Sequence, residues 1–244
     1  MKLFVVILPA ILFLSTAHAA GKHITYQIDG KSYEVYFISP SADAPLVLLI
    51  HDWDGLNEYE IKRANMLAEE GYAVIAADLF GAGIRPTEDT DKRQHTGELY
   101  KDRAKMRALM HGALEAAKSK GADINNVVVM GYCFGGAAVL EMARSGADMK
   151  GFVSFHGGLT TPEGQNYENT KGKVMVFHGT ADTAISMKDF AQLARELEVS
   201  NVPHEMLTYG GAPHAFTEFS SDRYREDADK ASWNRFLEFL DEVL

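Results

Sequence analysis

Five short, nearly continuous apolar runs constrain this chain more than any other feature: 46–50, 72–77, 126–130, 152–155 and 174–177. A strand with one wet face alternates apolar and polar residues, so a continuous run implies burial on both faces. Between the runs lie stretches with helical signals. Asn57 caps a helix to about Glu70 that Gly71 stops, 134–144 reads as a helix, and Ser186 caps another to about Glu198. A last strand at 205–208 and an amphipathic helix at 227–244 complete the alternation. Strands alternating with helices imply an α/β fold whose mostly parallel central sheet is covered by helices on both faces.

Two segments stand outside this rhythm. Residues 24–28 and 33–38 alternate around Asp29-Gly30, which predicts a β-hairpin ahead of the parallel strands. Residues 81–93 are rich in Gly, Pro and Asp and read as a loop, followed by one long amphipathic helix to about Lys120. No repeat, low-complexity tract or linker divides the chain, and 20–244 reads as a single domain.

Residues 1–19 read as a secretory signal peptide. Lys2 precedes an apolar run from Leu3 to Leu14, and Ala17-His18-Ala19 places small residues where a signal peptidase reads. A membrane anchor is the alternative, but the run is too short to cross a bilayer of about 30 Å. There is no twin Arg before the run and no Cys after it. A periplasmic or secreted protein is expected, with no membrane association after cleavage. The net charge of −10 argues against nucleic acid as a partner. The oligomeric state is not legible.

The chain has one cysteine, so an exported form has no internal disulfide. A lone thiol in an oxidising compartment asks for a chemical reason. Cys133 sits in Gly131-Tyr132-Cys133-Phe134-Gly135-Gly136, between an apolar strand and a helix. This is the G-x-nucleophile-x-G elbow with Cys in place of Ser. Glycines flank the nucleophile because side chains two positions away would collide in so sharp a turn. The helix N-terminus beneath the thiol is expected to lower its pKa, and the Phe134 N–H to face a developing oxyanion. The bland alternative is a buried, inert Cys beside a Gly-rich helix start.

A Cys nucleophile needs a base and a group that orients the base. Among nine histidines, His214 lies between the last strand and the last helix, in Gly210-Gly211-Ala212-Pro213-His214-Ala215-Phe216. Asp182 follows the preceding strand, in His178-Gly179-Thr180-Ala181-Asp182. Nucleophile, acid and His thus run in the chain order of elbow hydrolases. His51, His156 and His178 end strands and are weaker candidates for the base.

Together the elbow, 179–182 and 213–216 resemble the dienelactone hydrolase family of α/β-hydrolases, a likeness that covers nearly all of 20–244. It extends to His51-Asp52-Trp53-Asp54-Gly55-Leu56-Asn57 and to Asp78-Leu79-Phe80. The resemblance implies the α/β-hydrolase fold, a Cys133–His214–Asp182 triad and hydrolysis of a small ester or lactone without metal or cofactor. It also implies a second oxyanion donor in the Trp53 N–H, and it sets Asp52 where the founding enzymes carry a Glu beside the thiol. Asp is one methylene shorter than that Glu.

Two positions depart from the family pattern. Four residues after the catalytic His the founding enzymes place an Arg for the substrate carboxylate; here Glu218 stands there and would repel it. The family's other Arg follows the second parallel strand, and Arg85 is near that place but shifted. Arg85 and Glu218 are therefore candidate substrate contacts. The alternatives to an esterase are a Cys-elbow amidase or acyltransferase, and a non-catalytic ligand-binding module on the same scaffold.

Overall fold

The computed structural model describes residues 20–244. The proposed signal segment, 1–19, lies outside the described residues. Eight strands form one sheet: β1 (Lys22–Ile28), β2 (Lys31–Ile38), β3 (Leu46–Ile50), β4 (Ala73–Ala77), β5 (Val127–Tyr132), β6 (Asp148–Phe155), β7 (Lys171–Gly179) and β8 (His204–Tyr209). Six helices accompany them: α1 (Glu58–Glu69), α2 (Asp89–Lys101), α3 (Arg103–Lys118), α4 (Phe134–Arg144), α5 (Met187–Val199) and α6 (Glu226–Val243). The strand order is β1-β2-β4-β3-β5-β6-β7-β8, antiparallel through β1, β2 and β4 and parallel from β4 onward.

The continuous apolar runs are the buried parallel strands. On β3, Leu46, Leu48 and Ile50 pack toward α2–α5, while Val47 and Leu49 pack toward α1 and α6. The β1–β2 hairpin turns on Asp29 and Gly30, both at positive φ, which suits the twist of a two-residue turn.

The single long helix expected after Arg93 is two helices, and the first begins inside the expected loop. Asp102 separates them with a non-helical backbone (φ −114°, ψ 76°), and its carboxylate accepts the Lys105 N–H at 2.9 Å. An Asp that can cap a fresh helix competes with continuing the old one.

The topology also fixes where a site can form. After β3 the chain goes to β4 on one side, and after β4 it returns to β5 on the other. The loops leaving β3 and β5 therefore diverge from adjacent strand ends, since Ile50 pairs with Gly131. Such a switch point is the usual binding crevice of an open α/β sheet.

Candidate active site

Cys133 stands at a sharp bend between β5 and α4, with φ 48° and ψ −107°. Two close approaches make that turn specific to glycine. A Cβ on Gly131 would meet the Gly135 carbonyl carbon at 2.4 Å, and one on Gly135 would meet the Ile50 carbonyl oxygen at 2.3 Å. Neither can be relieved by rotating a side chain, because the obstacle is backbone.

His214 and Asp182 reach this point from the loops after β8 and β7. His214 Nδ1 lies 2.8 Å from Asp182 Oδ2, and His214 Nε2 lies 3.1 Å from Cys133 Sγ. The other Asp182 oxygen accepts the Ala184 and Ile185 N–H groups, each at 2.8 Å. Burial alone would raise this carboxyl's pKa, but the His214 contact and the two N–H donors more than offset it and hold the pKa below the ordinary range. An ionised Asp182 fixes the imidazole proton on Nδ1 and leaves Nε2 free to accept from sulfur.

The thiol departs from expectation. Burial pushes the Cys133 pKa well above the usual cysteine range; the Asp52 charge and a hydrogen bond to Asp52 push the same way, against the Phe134 N–H. The helix N-terminus is outweighed, and the resting group is a neutral thiol. Asp52 is near enough to act on the thiol electrostatically, despite the shorter side chain. Its own pKa is raised to about 6, chiefly by burial, with the Trp53 N–H opposing. The Trp53 N–H, the expected second oxyanion donor, gives its hydrogen bond to Asp52 Oδ1 at 2.5 Å. Carboxyl, thiol and oxyanion donor thus share one small space.

Glu218 lines a cleft of about 760 Å³ beside Asp52 and Trp53. The same walls carry Asp54, Glu58 and Asp89, with Lys62, Lys92 and Arg223 as counter-charges. Arg85 is already paired: its Nη2 lies 2.7 Å from Glu34 Oε1 and its Nη1 3.7 Å from Asp78 Oδ2. Of the remaining histidines, His51 is buried and pairs with backbone. His156 is buried and sets its ring edge-on to His214, 5.4 Å between centroids. His178 is buried and stacks on Phe190. Among the described residues no cluster of His, Cys, Asp or Glu is arranged to hold a metal ion.

The model of the dienelactone hydrolase family matches residues 33–244. This chain belongs to the dienelactone hydrolase family. A Salmonella typhimurium relative, provisionally named a carboxymethylenebutenolidase, is 25% identical over 225 residues, covering 86% of this chain and 83% of its own. The solved structure of m3DLH is 30% identical with a TM-score of 0.86, covering 93% of this chain and 99% of that one. The dienelactone hydrolase-like promiscuous phosphotriesterase P91, from metagenomic libraries, is 27% identical with a TM-score of 0.85 over the same shares. The chain is accordingly an α/β-hydrolase-fold enzyme that acts on carboxylic ester bonds.

Sequence reasoning missed a set of supporting groups on α1. Glu60, fully buried, accepts the Asp52 N–H at 3.2 Å and the Asn57 N–H at 3.0 Å. Arg63, equally buried, pairs with Asp229 and donates to the Thr217 carbonyl at 2.9 Å. The Thr217 hydroxyl meets the Tyr59 hydroxyl at 2.7 Å and His156 Nε2 at 2.9 Å. Asn57 and Glu60 are spaced as a capping box, which the sequence displays. Nothing in the spacing shows that Arg63 reaches Thr217, 154 positions away.

Proposed function

We propose that this protein is an exported hydrolase of a small ester or lactone, working through a Cys133 acyl-enzyme. The observation that carries the reading is the line from Asp182 through His214 to a thiol on a strained elbow. In the resting state the thiol holds its proton between Asp52 and His214. Substrate entering beside Trp53 displaces the Asp52 carboxyl, and the carbonyl oxygen takes its place against the Trp53 and Phe134 N–H groups. Sulfur attacks the carbonyl carbon as its proton passes to His214 Nε2. The tetrahedral oxyanion collapses, the C–O bond breaks, and His214 returns the proton to the leaving alkoxide. A water then attacks the thioester with His214 as base, releasing acid and the free thiol.

Asp52 gives this cycle its gate. A thiol kept neutral until substrate displaces a carboxylate is protected from oxidation in an exporting compartment. Export itself rests on the pattern of residues 1–19. Intact-mass measurement of protein from the native envelope fraction tests it: a mass starting near Ala20 supports export with cleavage, and one that includes Met1–Ala19 overturns it.

The decisive experiment is a screen of purified 20–244 against aryl esters, enol lactones and acyl thioesters, with mass spectrometry of a quenched reaction. An acyl adduct on Cys133 is expected. Turnover without any adduct, undiminished in Cys133→Ala, would overturn the mechanism. A phosphotriester belongs in the same screen because P91 is similar to this chain.

A further inference from the structure

We propose that His51, which the mechanism above does not use, is a positioning residue that aims the Trp53 N–H at the oxyanion. The proposal rests on the hydrolase reading of the site and explains how its backbone donor is held.

The argument starts from what His51 touches. The Leu79 N–H donates to His51 Nε2 at 3.1 Å, so that nitrogen carries a lone pair. Burial keeps the ring neutral, lowering its pKa to about 4. A neutral imidazole with one accepting nitrogen has its proton on the other. His51 Nδ1–H therefore donates to the Asp52 carbonyl oxygen, in a short contact. That carbonyl and the Trp53 N–H belong to one peptide unit. In a trans peptide the C=O and N–H lie in one plane and point in opposite directions. Fixing the oxygen fixes the direction of the hydrogen. A hydrogen bond at the carbonyl also polarises the unit and makes its N–H a stronger donor.

The geometry around this peptide agrees. Glu60 holds the neighbouring His51–Asp52 peptide unit through the Asp52 N–H at 3.2 Å, and the Gly55 N–H is a second, longer donor to the Asp52 carbonyl at 3.4 Å. The His51 ring is clamped by Phe80 at 4.5 Å and Phe134 at 5.7 Å between centroids. Phe134 directly follows the nucleophile and supplies the other donor. One histidine thus registers the loop after β3 against the elbow after β5.

Asn and Leu have nearly the same shape, and the Asn side-chain nitrogen occupies the place of His Nδ1. His51→Asn therefore keeps a side-chain donor for the Asp52 carbonyl, and His51→Leu removes it and leaves the longer Gly55 N–H contact at 3.4 Å. Both lose the partner of the Leu79 N–H, so the pair isolates the donor. For an activated aryl ester, His51→Leu is expected to lose about 10²-fold in kcat with little change in KM, the scale of one oxyanion-hole donor. His51→Asn should recover most of that loss. Alkylation of Cys133 by iodoacetamide, which builds no oxyanion, should fall in neither variant. Equal kcat in the two variants, or alkylation falling in step with turnover, would overturn the proposal. Hydrogen exchange at the Trp53 amide, read by NMR, should be faster in His51→Leu than in His51→Asn. Equal exchange overturns the proposal whether or not any ester is turned over. A wild-type protein that turns over no ester would instead sink the hydrolase reading.

Discussion

The elbow after β5 and the cleft beside Trp53 meet at Asp52, yet they are built by different rules. The elbow is held by backbone. Its bend, its glycines and the approach of α4 to β3 leave little choice of residue at Gly131 and Gly135. The cleft is held by side chains from the loop after β3, from α1 and α2, and from the loop after β8. Its solvent-facing charges, such as Glu218, are not fixed by a close backbone approach of this kind. On the proposed reading, the chemistry of this protein lies where the backbone is constrained, and its selectivity where it is not.

Removing the nucleophile should break the elbow side completely. Cys133→Ala is expected to lose about 10³-fold or more in ester turnover, since members of a catalytic unit fail together. The thermal midpoint should hold, because Ala fits beneath the imidazole without a new contact. Cys133→Ser should lose most activity too, as an alcohol is a far poorer nucleophile in a site built for a thiol. Full turnover by Cys133→Ala, with the fold intact by circular dichroism, would remove the distinction between the two regions.

The same contrast explains what was legible in the sequence. The elbow, the order Cys133, Asp182, His214 and the parallel strands follow from local rules: flanking glycines, continuous apolar runs and loops after strands. The break at Asp102 escaped because amphipathic period passes through a capping Asp unchanged. The raised thiol pKa escaped because helix N-termini are visible in sequence and desolvation is not. Arg85 could be placed near the site by its spacing after β4. Its pairing with Glu34 could not, because that partner comes from β2, 51 positions earlier.

Asp52 belongs to both regions and gives the sharper test between them. Its carboxyl has a pKa of about 6, so above that pH its charge opposes thiolate formation at Cys133. Asp52→Asn removes the charge, so the thiol's pKa should fall. At pH 7 alkylation of Cys133 by iodoacetamide should then rise several-fold, and its pH profile should move to lower pH. Ester turnover need not rise with it, because in the proposed cycle substrate already displaces the carboxylate. An unchanged alkylation profile would mean that burial alone keeps the thiol neutral, and the gate would be lost from the mechanism.

The smallest expected effect concerns substrate charge, and it tests whether the cleft selects at all. Glu218 stands where the family resemblance implies an arginine for a substrate carboxylate. It lies in an open cleft, half-exposed, where its carboxylate accepts from the Ser220 hydroxyl at 2.9 Å. Its charge reaches across to Asp54, whose pKa is raised first by burial and then, among other charges, by Glu218. A carboxylate entering this cleft faces both of these acids on its walls. The solvent-rich cleft screens each of these terms, so exchanging the sign of one residue is worth about 1 kcal/mol, or about fivefold in specificity. Lys62, Lys92 and Arg223 on the same walls reduce it further. The measurement is kcat/KM for a matched pair of esters, one neutral and one bearing a free carboxylate, in wild type and in Glu218→Arg. Wild type should prefer the neutral ester, and Glu218→Arg should move the ratio toward the acid without changing Cys133 alkylation. Raising the ionic strength should shrink the wild-type preference, because these charges face solvent. A wild type that already prefers the acid, or a ratio indifferent to both the substitution and salt, would mean that selectivity is set by groups other than the charges of this cleft.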